Sequence, residues 1–310
     1  LIQAFGMTGW LRNLGIFTGS WMDIALVAVT LTTGAVAVMW LGEVMSDHGI
    51  GNGISLLIFA GIVARIPEAI IRTFTLVRLG EMNILILVLA VVLMIAVVAG
   101  CVMLQEGQRR LPVQYAKRMV GNKMYGGQST FIPLRVNTAG VIPIIFASSV
   151  LLFPYTIAGL FQNSFAQAVQ RAFSPSSPIY MILYVAMIIF FSYFYTAVVF
   201  KPEDISTNMK KNGGFILGIR PGKPTTDYIE KVMGRITLGG AVALAIVAVV
   251  PTMMTGLMNI NTFYFGGTAV IIVVGVALDT VHQIEGQLIM RHYEGILKRR
   301  AGKTGGLLRM

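Results

Sequence analysis

Seven long apolar runs decide what this chain can fold into: Ile24 to Val44, Ile54 to about Thr75, Ile84 to Leu104, Ala139 to Phe161, Ile179 to Phe200, Ile236 to Met258, and Thr268 to about Met290. A helix that crosses a bilayer needs roughly 20 mostly apolar residues, and each run supplies about that many. Short alternating strands of the kind that close into a membrane barrel are absent from them, so the spans are expected to be helices. The chain is 55% hydrophobic and only 12% charged, against about 25% charged in an ordinary soluble domain. The expected fold class is therefore all-α, a polytopic transmembrane helix bundle. The opening LIQAFGMTGWLRN has neither a charged leader nor a small-residue cleavage site, so it does not read as a signal peptide.

Charge is distributed unevenly along the chain. Of 24 Lys and Arg residues, six lie in Glu106 to Asn137, seven in Lys201 to Arg235 and six in the tail from Arg291, so 19 fall on one side of the bundle. Arg12, Arg65, Arg72, Arg78 and Arg171 make up the rest. Basic residues accumulate on the cytoplasmic side, which places those inserts there. A net charge of +11 points towards anionic partners, either lipid head groups or nucleic acid.

The insert 106–137 is the longest polar interruption. Two alternating runs, Leu111 to Ala116 and Ser129 to Val136, flank a centre containing Gly121, Lys123, Gly126 and Gly127, which predicts a hairpin-like excursion. In the insert 201–235 a short helix is expected to end at Gly213-Gly214, followed by a turn over Gly218-Ile-Arg-Pro-Gly222 that presents Arg220 at its apex.

Two spans are irregular. Arg65 and Pro67 break the second after eleven uncharged residues, Ile54 to Ala64. Such a segment either lines a cavity or lies partly in the interface with Arg65 snorkelling. The fourth span contains Pro143, Pro154, Ser148 and Ser149, which makes it either a moving part or a statically kinked helix.

Signatures of catalysis are missing. His48, His282 and His292 have no metal-ligand spacing, Cys101 stands alone in an apolar run as a small core residue, and neither a G-x-S-x-G elbow nor a phosphate-binding G-x-x-x-x-G-K-[ST] occurs. No enzyme, cofactor or metal is expected. Asp279, His282 and Glu285 are the candidates for a proton relay, the basis of an alternative reading as an ion-coupled secondary transporter. They fall at the cytoplasmic end of the last span, where a solvated or paired helix end explains them as well.

Four stretches resemble the SecY family of protein-conducting channels: WLGEVMSDHGIGNGISLLIFAG (Trp40 to Gly61), EGQRRLPVQYAKRMVG with GGQSTFIPLRVNTAGVIPIIFASS (Gly126 to Ser149), NMKKNGGFILGIRPGKPT, and YFGGTAVIIVVGVALDT. The resemblance covers nearly the whole chain. It implies the end of helix 3 and helices 4 to 10 of a ten-helix protein, with residues 1–80 the remainder of an N-terminal half and 81–310 a C-terminal half. Two departures are Phe131, where His is usual in the family, and Leu217, where Pro is usual.

The resemblance further implies a central pore subunit of a translocase in the bacterial inner membrane, passing unfolded polypeptide across the membrane or sideways into it. Its constriction would be formed by Ile54, Ile58, Ile145 and Ile272. An apolar ring excludes ions by dewetting and offers a passing chain no fixed charge to stick to. Pro143, Ser148, Ser149 and Phe153 would belong to the lateral-gate helix. Arg109, Arg110, Lys117, Arg118, Lys123, Arg220 and Lys223 would dock a SecA-like motor ATPase or ribosomal RNA phosphates, an interaction that weakens steeply with salt. Small SecE-like and SecG-like membrane subunits, the translocating polypeptide and anionic lipids complete the implied partners. The plainer alternative for these cations is that they only set topology and touch lipid.

Overall fold

The apolar runs form helices because a helix satisfies its backbone groups within one segment, which hydrocarbon demands. The computed structural model describes residues 1–13, 15, 19–80, 83–115, 118–120, 123–125, 129–159, 161, 163–174, 177–258 and 267–305. A short helix α1 (Ile2–Asn13) precedes α2 (Trp21–His48), whose first turn closes as the Ser20 N–H donates to the Asp23 carboxylate at 2.8 Å. The second run is two helices, α3 (Gly53–Val63) and α4 (Ile66–Arg78), separated where Arg65 and Pro67 predicted the break. The third is α5 (Ile84–Glu106), capped by the Asn83 side chain, which accepts from the Leu85 N–H at 3.0 Å.

The fourth run is shorter than expected. Its helix α6 spans Ile142–Ala158, 17 residues, because 136–141 turn first: Gly140 has φ +62° and its carbonyl accepts from Asn137 Nδ2 at 3.0 Å. Pro143 therefore sits in the first turn, where a missing N–H costs nothing, and only Pro154 lies inside the helix. At about 25 Å the helix falls short of the roughly 30 Å hydrocarbon core. Among the described residues the other six runs do yield stretches long and apolar enough to cross a membrane.

After a short helix α7 (Ser164–Ala172), the chain crosses again as α8 (Pro178–Val199), then α9 (Pro202–Lys211), α10 (Lys223–Met258) and α11 (Gly267–Gly305). The last two run for 36 and 39 residues, about 54 and 58 Å, so each projects well beyond a bilayer.

The membrane core is built around Ile144, Ala147 and Leu151 of α6, Ile188 of α8, Leu244, Ala245 and Ala248 of α10, and Ile271 of α11. Lipid tails are as apolar as leucine, so helices associate there by close packing, and small residues bring backbones together. Ala147 and Ala248 are wholly buried for that reason, and Cys101 of α5 is buried among them as a small apolar residue.

A second, separate core lies outside the membrane layer. In the insert 106–137, β1 (Gln108–Tyr115) pairs antiparallel with β4 (Ser129–Arg135), while β2 (Arg118–Val120) and β3 (Lys123–Tyr125) form a small ribbon between them. The bundle is all-α as expected, with these strands added outside its spans.

Candidate functional site

Alternation in β1 sends Leu111 and Val113 inward and leaves Arg110, Pro112 and Gln114 outward. Under the strand, Leu111, Val113 and Leu134 pack on Met209 of α9, Ile216, and Ile229 and Met233 of α10. A two-residue strand, β5 (Gly214–Phe215), adds to the other edge of β1 with Gln114 opposite Phe215 and Tyr115 opposite Gly214. The two basic inserts are thus one platform with one core. Sequence reading predicted each insert and its turn, but not their pairing.

Arg220 stands on a pinned turn. Gly218 and Gly222 have φ of +80° and +106°, conformations that side chains disfavour. Thr225 Oγ1 donates to the Arg220 carbonyl at 2.8 Å, and Ser206 Oγ of α9 donates to the Gly222 carbonyl at 2.9 Å. These hydroxyls fix the backbone while the Arg220 side chain stays exposed. Arg109, Arg110 and Lys223 are exposed too, and among the described residues none of the four is within 4.0 Å of a carboxylate. Arg110 instead lies over the Phe131 ring at 4.6 Å, a cation–π contact. Lys117 lies outside the described residues, as do the side chains of Arg118 and Lys123 on β2 and β3.

The platform is joined to the bundle at the base of its hairpin. The Val136 N–H donates to the Gly107 carbonyl at 2.8 Å. Gly240 of α10 lies so close that a β-carbon there would strike the Val136 carbonyl, and one on Gly275 of α11 would stand 3.1 Å from Val141. Glu106, the last residue of α5, meets His282 Nε2 of α11 at 3.0 Å. The turn to α6 begins at Val136 itself. Neither Gly240 nor Gly275 was singled out from sequence, although a small residue inside an apolar helix is the available signal.

Ile54 and Ile58, one turn apart on α3, keep 40% and 37% of their surface exposed. Their helix is held by glycine contact: Gly53 abuts the Gly42 carbonyl of α2, and a β-carbon on Gly42 would stand 2.6 Å from Ile54 Cγ1. The Gly53 N–H donates to Ser46 Oγ at 2.8 Å, and that hydroxyl donates to the Gly42 carbonyl at 2.9 Å. Ile145 of α6 is half-buried against the membrane core, and Ile272 of α11 belongs to that core at 8% exposure. The four isoleucines therefore have unequal surroundings in this chain. On α6, Pro143 is buried, Ser148 Oγ bonds back to the Ile145 carbonyl at 3.0 Å, and Ser149 and Phe153 are exposed.

Asp279 and Glu285 are exposed, and His282 is engaged with Glu106 at the helix end. Among the described residues no group of three or more His, Cys, Asp or Glu side chains is placed to hold a metal ion.

A family model described as SecY matches residues 1–281. The protein translocase subunit SecY of Vibrio cholerae is 46% identical over 303 residues, covering 96% of this chain and 68% of that protein. The subunit of the same name from Mycobacterium leprae is 44% identical, covering 96% of this chain and 72% of its own length. A solved structure described as "The structure of a protein conducting channel" superposes with a TM-score of 0.67 at 18% identity, over 92% of this chain and 71% of that one.

Proposed function

The chain belongs to the SecY family, and from that premise we propose how its parts divide the work of moving polypeptide. It is a multi-pass inner-membrane protein, the core channel subunit of a SecY-type protein translocase, and not an enzyme. Unfolded chains pass through a constriction made by Ile54, Ile58, Ile145 and Ile272. The exposed pair on α3 supports this assignment, since two large apolar side chains keep much of their surface open on a helix anchored by glycines. Residues 1–80 and 81–310 act as the two halves around that path. The helix carrying Pro143, Ser148, Ser149 and Phe153 serves as one wall of a lateral opening, through which an apolar stretch of substrate reaches lipid.

The platform of β1, β4, β5 and the Arg220 turn faces the cytoplasm and docks the driving partner, a SecA-like motor or the ribosome. Its cations Arg109, Arg110, Arg220 and Lys223, together with Lys117, Arg118 and Lys123, meet acidic side chains or RNA phosphates. The observation that carries this reading is the pairing of Gln114 with Phe215, which makes one rigid face from two inserts. SecE-like and SecG-like subunits and anionic lipids complete the assembly in the membrane. Docking is tested by placing Arg220→Glu in the full-length protein. Partner-driven transport into vesicles should fail while membrane insertion and thermal stability are kept; unchanged transport would reject the contact.

A further inference from the structure

A cavity of about 570 Å³ opens between the ends of α8 and α10 beneath α9, at the same end of the bundle as the platform. Its walls change character with depth. Lys201, Glu203, Asp204 and Glu230 ring the polar side, while Tyr193, Ala197, Phe200 and Met233 line the part towards the membrane. At that depth two threonines face the space, Thr196 and Thr237, only 8% and 6% exposed. Their hydroxyls bond to no other group among the described residues, unlike the threonines of α2, which bond back to their own helix. Neither oxygen is sealed off from the space, so both hydroxyls are open to donate to whatever fills the cavity.

The charges around the rim are also uncommitted. Neither Lys201 nor any of the three carboxylates lies within 4.0 Å of an opposite charge among the described residues. Glu203 and Asp204 stand in the first turn of α9, where acids suit the helix dipole; Glu230 has no such reason to be there. Three carboxylates against one ammonium repel an anion as a whole, yet a single Lys remains to take one phosphate.

We propose that this cavity binds the head group of a zwitterionic phospholipid with a primary amine, phosphatidylethanolamine. Its ammonium lies among Asp204, Glu203 and Glu230, its phosphate meets Lys201, and its glycerol ester oxygens accept from Thr196 and Thr237. A primary ammonium donates three hydrogen bonds, whereas the quaternary ammonium of choline donates none. Apolar surface for the acyl chains adjoins the cavity: Phe190 and Phe194 on α8, and Leu238 and Val242 on α10, are exposed on the same two helices. That continuity with lipid-facing surface favours a lipid over a basic side chain from a partner protein. The proposal is independent of the docking and constriction roles, because lipid selectivity is read without transport.

The test uses the full-length protein with its co-purifying subunits, equilibrated in vesicles of equal phosphatidylethanolamine, phosphatidylcholine and phosphatidylglycerol, then examined by native mass spectrometry. Phosphatidylethanolamine should be retained about tenfold over each of the others, the scale of one charge-assisted bonding set. Asp204→Asn with Glu230→Gln should bring phosphatidylcholine to parity with it, and Thr237→Val should weaken retention of all three. Equal retention by the unaltered protein, a preference for phosphatidylglycerol, or an unchanged preference in the Asn/Gln variant would overturn the proposal. So would a crosslink from Glu230→Cys to a partner subunit with no retained phosphatidylethanolamine.

Discussion

Gln114 and Phe215 stand opposite one another in adjacent strands, although they come from inserts separated by α6, α7 and α8. That pairing, with the small core beneath it, joins the two inserts into a single body. The Arg220 turn is thereby joined to β1 through this core, and β4 leads on to Val136 and the turn into α6.

If the small core is what unites the inserts, Ile229→Ala should separate them. Ile229 is fully buried in it, and truncating such a side chain costs about 2–5 kcal/mol. Limited proteolysis should cut faster around Gly213 to Gly222 in this variant, with the membrane helices still protected. An unaltered cleavage rate would show that the inserts do not depend on that core.

Glycines at the hairpin base supply a paired comparison. A β-carbon on Gly240 collides with the Val136 carbonyl, whereas one on its neighbour Gly239 meets open space. Gly240→Ala should lower stability by about 1–3 kcal/mol through overpacking. Gly239→Ala should be neutral or slightly stabilising, because alanine favours a helix by up to about 1 kcal/mol over glycine. Thermal unfolding of the full-length protein in detergent reads the difference, and equal effects at both sites would contradict the close approach.

The hydroxyls under the Arg220 turn should matter without bearing charge. Thr225→Val together with Ser206→Ala removes both bonds that fix the turn, each worth about 1 kcal/mol. Partner binding should weaken several-fold while its salt dependence keeps the same slope, because no phosphate or carboxylate contact is lost. A changed slope would mean that the hydroxyls act by another route.

Much of the bundle was legible in the sequence because membrane helices announce themselves by length and apolarity. The break at Arg65 and Pro67, the hairpin and the turn at Gly218 to Gly222 were equally readable, since proline, alternation and glycine act locally. The limits of α6 were not: Pro143 reads as a kink until Asn137 and Gly140 are seen to turn the chain first. The union of the two inserts was also hidden. A strand as short as β5 has no periodicity of its own, and only the exposed edge of β1 gives it meaning. Likewise Gly42 and Gly53 stand in a recognisable motif, yet the Ser46 hydroxyl that links them is visible only in three dimensions.

The central claim is that Ile54, Ile58, Ile145 and Ile272 surround the path of a moving polypeptide. The most direct measurement places photoreactive probes singly at Ile58, Ile145 and Ile272 of the full-length protein, with probes at exposed Leu85 and Ile95 of α5 for comparison. Transport is then stalled midway. Crosslinks to the stalled chain from the three isoleucine positions, and none from the two comparison sites, are the predicted result. Crosslinks only to lipid from Ile58, Ile145 and Ile272 would contradict the account.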